Sequence, residues 1–382
     1  MKGNTRLKQD NITRVLEEIR DCAPVTKREL QEITGFSWGN ISTTVNELQE
    51  KGYIVSVGKQ ETLVGRHSDQ YDISPYENLI IGVDLNMNGI LLVVTSLRGQ
   101  AVFRKKRTYR EHTYQNAIDT LYATVDEAVA MFGKQHIQRI AVGLQGRVDT
   151  KQGISVKISG LDYWENVPLV QMLEERYGIA CMLIHDPDCV MRAEMNRGWL
   201  HKDAVDTALM LRLEKYAVGM SIIMNGQLRF GVHERAGEVG RVVLPYENEL
   251  GWIFVDDLLP EAHMANNYKK MFPDTTEEMT YDLLWERVQK KDQRANYFLQ
   301  KWVVALGMLL INMVNLFNPG HVILFGEMLQ YQKMFGELLT ELLKDSAYDN
   351  TVKLLFSKQN MDAAAIGAAL WGADHWMRSV VF

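Results

Sequence analysis

The sequence predicts an α/β protein in two parts, a small helical module that ends in a β-hairpin and a larger α/β region. Two observations support this prediction. In the first 75 residues, apolar side chains recur at helical spacing and two short β-type runs follow them. In the remaining residues, β-type runs alternate with helical segments, and the order βββαβα loosely recurs. Such a duplicated pattern indicates two lobes with a ligand cleft between them.

Length and composition narrow the class of protein. The chain has 382 residues, enough for two or three domains, with 46% apolar and 24% charged residues. The longest apolar stretch, residues 302–317, is short for a membrane span and contains Asn312 and Asn315, so we expect a buried helix there. The three cysteines are scattered, and no signal peptide is visible at the start. We therefore expect a soluble cytoplasmic protein that does not contact a membrane.

The first 75 residues have the pattern of three helices and a hairpin. Apolar residues at i, i+3, i+4 and i+7 from Ile12 predict a first helix, which Pro24 ends. Thr26 and Glu29 have the spacing of a capping box at a second helix, and Ser37 is a typical N-cap for a third. Two β-type runs then flank a polar loop. This order is that of a winged helix-turn-helix, in which the third helix enters the DNA major groove.

Polar and basic residues of this module are candidates for DNA contact. The side chains predicted to reach base edges from the third helix are Trp38, Asn40, Thr43, Thr44 and Asn46. Lys27 and Arg28 are candidates for phosphate contact, and Arg66 in the wing for the minor groove. The alternative is a module for dimerisation or protein binding, because these residues hold 10 Lys and Arg against 11 Asp and Glu. A basic run at residues 104–107 is interpreted as a solvated strand end rather than a nucleic-acid patch.

Several short motifs in the larger region match one family in order and spacing. They are Gly82-Val83-Asp84-Leu85, Gly146-Arg147-Val148-Asp149, Arg235-Ala236-Gly237-Glu238-Val239-Gly240 and Asn318-Pro319-Gly320-His321-Val322-Ile323. Together with the Gly65-Arg66 wing, the chain resembles the ROK family (repressor, open reading frame, kinase), in the branch that represses sugar-utilisation genes. The resemblance implies the two-lobed, actin-like sugar kinase fold. We expect the winged helix-turn-helix at 1–75, one lobe at 76–190 completed by about 360–382, and the other at 191–359.

The glycine-rich turns that hold ATP phosphates in the kinases of this family are altered. Asn86-Met87-Asn88 stands where the family has Gly-Gly-Thr, Lys215-Tyr216-Ala217 where it has Gly-Thr-Gly, and Gly326-Glu327 where it has Gly-Gly. Side chains at these positions obstruct the close approach of backbone to phosphate. We therefore expect no ATP-dependent phosphorylation, no cofactor and no catalytic residue, with Asp186 at the vestigial base position.

The resemblance also implies a set of effector contacts in the cleft. Its members are Arg147, Gly160, His185, Asp186, Glu238 and Arg241. The two arginines favour an anionic effector such as a sugar phosphate or an acidic sugar. The zinc-binding cysteines of the family are absent from residues 245–257, so we expect no metal. Two alternatives stay open: Asp186 only caps a helix, or Arg241 pairs internally with Glu238 or Asp186 and the cleft binds nothing.

Taken together, these features predict a sequence-specific DNA-binding regulator, a repressor of carbohydrate-utilisation genes. Its expected partners are a double-stranded operator, a sugar or sugar-phosphate effector and a second copy of the chain, as a homodimer or homotetramer. The competing hypotheses are an active sugar kinase with an added DNA module and a scaffold that binds another protein.

Overall fold

The computed structural model describes residues 2–60, 68–200, 205–247, 249–346 and 351–379. The chain divides into two compact units, Met1–Arg192 with Asp362–Phe382 and Ala193–Met361.

The first unit begins with a winged helix-turn-helix. Its elements are α1 (Lys2–Cys22), β1 (Val25–Thr26), α2 (Lys27–Thr34), α3 (Trp38–Glu50), β2 (Ile54–Gln60) and β3 (Ser68–Ile73). The strands form a small antiparallel sheet in the order β1-β3-β2. The three helices and the hairpin predicted from the sequence are therefore confirmed.

Local hydrogen bonds explain where α2 and α3 begin. The Glu29 N–H donates to Thr26 Oγ1 at 3.2 Å, and the Thr26 N–H donates to Glu29 Oε2 at 2.7 Å, which completes the predicted capping box. Gly35, at φ +72°, ends α2 in the left-handed conformation that glycine adopts most easily. The Ser37 side chain then accepts the Asn40 N–H and starts α3, as predicted.

A mixed sheet forms the centre of the rest of the first unit. The chain runs through β4 (Leu79–Asn86), β5 (Gly89–Thr95), β6 (Ala101–Thr108), α4 (Tyr114–Phe132), β7 (Ile137–Leu144), β8 (Arg147–Asp149), β9 (Ile154–Lys157), β10 (Glu165–Val167), α5 (Leu169–Tyr177), β11 (Cys181–His185) and α6 (Asp186–Arg197). The sheet order is β11-β7-β4-β5-β6, with β4 buried along almost its whole length.

The short sheet β10-β9-β8 was not expected from the sequence. Its strands have only three or four residues, too few for a clear alternation of apolar and polar side chains. Val167 pairs with Ser155 in β10, and the next helix begins at Leu169.

The second unit repeats the topology of the first. Its elements are β12 (Ala208–Leu213), β13 (Val218–Met224), β14 (Gln227–Leu228), β15 (Val243–Pro245), β16 (Trp252–Phe254), α7 (Val255–Leu258), α8 (Glu261–Met271), α9 (Tyr281–Gln289), α10 (Gln293–Phe317), β17 (His321–Phe325), α11 (Gln332–Ser346) and β18 (Lys353–Phe356). The order β14-β13-β12-β17-β18 joins an antiparallel meander to two parallel strands, as in the first sheet. The duplicated α/β pattern is confirmed.

Helix α10 contains the long apolar stretch of the sequence. It is the one described helix that is long and apolar enough to cross a membrane, and 61% of its most apolar window is buried within the protein. Its side chains Trp302, Leu306 and Leu309 lie in the core of the second unit. A core helix of this kind passes the same length and composition test as a membrane span.

The last helix, α12 (Ala363–Ser379), returns to the first unit and packs on β4 and β7. One hydrophobic cluster contains the core of the winged helix-turn-helix and the buried face of α12. Within it, the rings of Tyr53 and Trp376 meet edge to face with centroids 5.3 Å apart. The winged helix-turn-helix is therefore packed directly onto the α/β part of its unit.

The basic run at residues 104–107 lies in β6, the edge strand of the first sheet. Arg104 pairs with Asp362 at 2.7 Å, and Lys105 and Arg107 pair with Glu127 at 2.8 and 2.7 Å. Charged side chains on an edge strand discourage pairing with another sheet. These contacts support the interpretation of the run as solvated strand.

Candidate DNA-binding and effector-contact sites

Helix α3 presents a polar face to solvent. Ile41, Val45 and Leu48 are buried on its inner side. On the outer side Thr43 and Asn46 are exposed, Asn40 is half-buried, and Trp38 is 53% exposed at the first turn. An exposed indole and amides in this pattern are available for contacts with base edges.

Thr44 must be removed from the predicted base contacts. Its side chain is 4% exposed, and its hydroxyl donates to Asn40 Oδ1 at 3.1 Å. It lies three residues after Ile41, so it shares the buried face of the helix. Thr44 orients the Asn40 side chain and does not itself reach a base.

The predicted phosphate contacts lie on α2, beside the polar face of α3. Lys27 Nζ donates to Asn46 Oδ1 at 2.7 Å and so joins the two helices at the surface. Arg28 forms a 3.3 Å pair with Glu32, in which both side chains are largely exposed. An exposed pair of this kind is weak and can exchange for a phosphate. The remaining predicted contact, Arg66, lies outside the described residues.

Four of the predicted effector contacts belong to the first unit. Arg147 is exposed on β8, and Gly160 occupies a turn at φ +89° with the thioether of Met87 against it. His185 ends β11 and Asp186 begins α6, with 3.7 Å between His185 Nε2 and Asp186 Oδ1. The Asp186 side chain is buried, at 5% exposure. The strand-to-helix junction thus places an imidazole next to a carboxylate.

The turn between β4 and β5 is closed by side chains. Asn86 Oδ1 accepts the Asn88 N–H at 2.9 Å, and Gln145 Oε1 accepts the Met87 N–H at 3.1 Å. Both amides already have partners, so they are not available to a phosphate oxygen without a rearrangement. Sequence reasoning identified the altered turn but missed Gln145, which reaches it from a position 58 residues away.

The other two predicted effector contacts belong to the second unit. Glu238 and Arg241 flank a tight turn at Val239–Arg241, and both side chains are exposed. The Arg241 guanidinium lies 3.8 Å from the centre of the Phe254 ring, a cation–π contact. Burial raises the pKa of the Asp256 carboxyl, which accepts the Val218 N–H, and nearby Glu238 adds to the rise.

Acidic side chains surround the end of β12 and the start of α9. Burial raises the pKa of the Tyr281 hydroxyl, and the negative charges of Glu261, Glu214 and Glu327 add to the rise. Glu214 directly precedes Lys215-Tyr216-Ala217, and Glu327 follows Gly326. Glu214 is itself paired with Arg212 at 2.6 Å.

Strands β15 and β16 pair as an antiparallel hairpin near residues 245–257, the segment in which no metal site is expected. Val243 pairs with Phe254 across it, and the rings of Trp252 and Phe254 lie 5.1 Å apart. In the part of the chain that the structure describes, no group of three or more His, Cys, Asp and Glu side chains is arranged to hold a metal ion.

Comparison with known proteins gives two family matches. Residues 80–375 match the ROK family, and residues 9–55 match a family described as winged helix-turn-helix DNA-binding. Among curated relatives, the xylose repressor of Bacillus subtilis (strain 168) is 20% identical over 98% of this chain and 97% of its own. The DNA-binding transcriptional dual regulator NagC of Escherichia coli (strain K12) is 24% identical over 87% of this chain and 84% of its own.

Solved structures share the fold. A ROK family transcriptional regulator, described as a homologue of the E. coli MLC protein, has a TM-score of 0.80 and 19% identity and covers 97% of both chains. A ROK family glucokinase from Streptomyces griseus, solved with glucose and AMPPNP, has a TM-score of 0.63 and 19% identity over 77% of this chain and 99% of its own. The ROK match extends over more than half of the sequence. The chain therefore belongs to the ROK family and carries an N-terminal winged helix-turn-helix.

Proposed function

We propose that this protein is a repressor of carbohydrate-utilisation genes that binds its operator as a homodimer and responds to a sugar-derived effector. The observation that carries the proposal is the polar, solvent-facing side of α3 in a capped winged helix-turn-helix. Asn40 and Asn46 supply amide groups of the kind that read adenine in the major groove, with Lys27 and Arg28 beside them. Two copies on a palindromic operator would double this small contact area.

The protein is proposed to act without phosphorylating its ligand. The amides of Met87 and Asn88 are bonded to side-chain oxygens, and a carboxylate stands in the third altered turn (Glu327) and directly before the second (Glu214). Both features oppose the binding of ATP phosphates. We expect no ATP turnover with D-xylose, N-acetylglucosamine or glucose in a coupled ADP assay. Turnover above that of heat-treated protein would contradict this part of the proposal.

The effector is proposed to be anionic. Arg147 is exposed in the first unit and Arg241 in the second, and each guanidinium can bind a carboxylate or phosphate with two parallel hydrogen bonds. Asp186, Glu238 and His185 are suited to bond sugar hydroxyls. Glucose 6-phosphate and glucuronate are suitable first probes in a thermal-shift assay, with glucose as the uncharged comparison. Arg241→Ala should reduce any stabilisation, whereas Arg104→Ala removes an equal charge from β6 and should not.

Selection of bound fragments from genomic DNA tests the function itself. We expect a recurrent palindrome near carbohydrate genes and a clear loss of enrichment with Asn46→Ala. The matched control is Asn312→Ala, which removes an exposed helix asparagine from the second unit. No enriched sequence at moderate salt, with or without the sugar probes, would contradict the proposal and favour a protein partner.

A further inference from the structure

Asp374 on α12 is shared by two arginines from different parts of the first unit. Its carboxylate accepts a hydrogen bond from Arg20 Nη1, on α1 of the winged helix-turn-helix. It also accepts bonds from Arg192 on α6, at 2.9 Å from Nε and 3.2 Å from Nη2. Arg20 further donates to Asp21 at 2.7 and 3.1 Å, so two cations face two carboxylates.

Apart from Asp21, whose side chain is 53% exposed, this cluster is largely shielded from water. Arg20 and Asp374 are each 8% exposed, and the Arg192 side chain is 13% exposed. Burial by itself disfavours the charged form of Asp374, but Arg192 and Arg20 outweigh it and hold the pKa of that carboxyl below its usual range. Removing either arginine leaves the buried Asp374 carboxylate with one cation instead of two, so part of the compensation for its burial is lost.

Helix α6 links the cluster to the proposed effector contacts. It begins at Asp186, and Arg192 lies six residues further on the same helix, about 9 Å along its axis. α6 and α12 pack closely at Gly367, because a Cβ there would overlap the Cys189 carbonyl. Trp371 Nε1 also donates to the Asp188 carbonyl at 3.4 Å. A displacement of the first turns of α6 is therefore passed to α12.

We propose that Asp374 is a positioning residue that couples α6 to the winged helix-turn-helix. A shift of α6 moves Arg192, Arg192 pulls on Asp374, and Asp374 moves Arg20 with the rest of α1. Because α1 packs on α3, the shift reaches the DNA-reading helix. The connection from α6 to α1 through Asp374 does not depend on the proposed function. Its role in regulation rests on the proposed effector site.

Hydrogen exchange measured by mass spectrometry tests the coupling without any ligand or DNA. In Arg192→Gln we expect amide exchange in α1 to be faster by about tenfold, although Arg192 does not belong to the winged helix-turn-helix. Peptides from α4 should keep wild-type rates, which separates coupling from general loss of stability. Arg192→Lys keeps the positive charge and should restore part of the protection.

The matched control is Arg176→Gln. Arg176 also forms a two-point ion pair, with Asp126, in the same unit, but on the exposed surface of α5 and α4. Wild-type exchange in α1 of Arg192→Gln, or equal acceleration by Arg176→Gln, would overturn the coupling. If Arg192→Gln does not fold, Arg192→Lys takes its place. We then expect a smaller acceleration of amide exchange that is confined to α1, and unchanged exchange in α1 would overturn the coupling.

A second measurement addresses the role in regulation. Once genomic selection has supplied an operator, Arg192→Gln should weaken operator binding severalfold while Arg176→Gln leaves it unchanged. Faster exchange in α1 with unchanged operator affinity would keep the coupling and refute its role in DNA binding. Failure to find an operator would contradict the proposed function and leave the exchange result standing.

Discussion

Substitution of Arg28 by alanine tests the placement of the DNA-binding surface by its salt dependence. Arg28 projects from α2 and its side chain is 82% exposed. Its only described ion-pair partner, Glu32, is 65% exposed at 3.3 Å, so the pair contributes at most about 1 kcal/mol and can be given up for a phosphate. The substitution therefore removes a charge from the proposed interface with little effect on the fold.

The expected magnitude follows from counterion release. Each neutralised phosphate contributes about 0.9 to the slope of log affinity against log salt. The proposed homodimer would present two copies of Arg28, so the slope of Arg28→Ala should be shallower by about 1.8. Between 50 and 200 mM salt, the affinity advantage of wild type over the variant should then shrink by about twelvefold.

Fluorescence anisotropy with a labelled operator measures this slope directly. Arg104→Ala is the control, because it removes the same charge from β6, where Arg104 is 54% exposed and pairs with Asp362. We expect the control to keep the wild-type slope. Equal slopes for wild type and Arg28→Ala would refute the placement of α2 against the DNA backbone. A reduced slope for Arg104→Ala would instead identify the basic edge strand as part of the interface.

Three further predictions concern stability and thiol chemistry. Thr26→Ala removes the hydroxyl that accepts the Glu29 N–H at the start of α2, while the bond from the Thr26 backbone N–H to Glu29 is retained, and should lower the free energy of unfolding by about 1 kcal/mol in urea titrations; an unchanged value would show that the Thr26 hydroxyl is dispensable. The exposed Cys22 thiol should react with a disulfide reagent in the native protein, whereas Cys181, whose pKa burial raises to about 12, should react only after unfolding. The folded-state pKa of Asp374 lies below its unfolded value, so its ionisation stabilises the fold above about pH 4 and this gain is lost as pH falls further. The stability difference between wild type and Asp374→Asn should therefore narrow as pH is lowered from about 6 to about 3, and a constant difference would contradict the ion-pair account.

Features set by neighbouring residues were predictable from the sequence. Spacings of a few residues determine the capping box of Thr26 and Glu29 and the N-cap at Ser37. They also predict the strands of the two five-stranded sheets, because helix and strand periodicity determine which side chains share a face. The burial of Thr44 was equally readable, since it follows Ile41 by one helical turn.

Features that join distant segments were not predictable. The bond from Met87 N–H to Gln145 spans 58 residues, and the bonds of Asp374 to Arg192 and Arg20 span 182 and 354. Composition and periodicity do not indicate which distant residues will pair. A polar residue on a helix that has a buried partner cannot be told in the sequence from one that faces solvent. Strands β8, β9 and β10 have only three or four residues each, so their alternation of apolar and polar side chains is too short to detect in the sequence.

The sequence by itself determined the winged helix-turn-helix and the duplicated α/β architecture. These follow from local backbone preference and from the period of apolar residues. Only the tertiary structure decided that the turn amides are closed by side chains, that Arg241 stacks on Phe254, and that α1 is tied to α6 through Asp374. Each of these depends on which surfaces meet when the chain packs, and the energy of a buried polar group is set by the partner that it finds there.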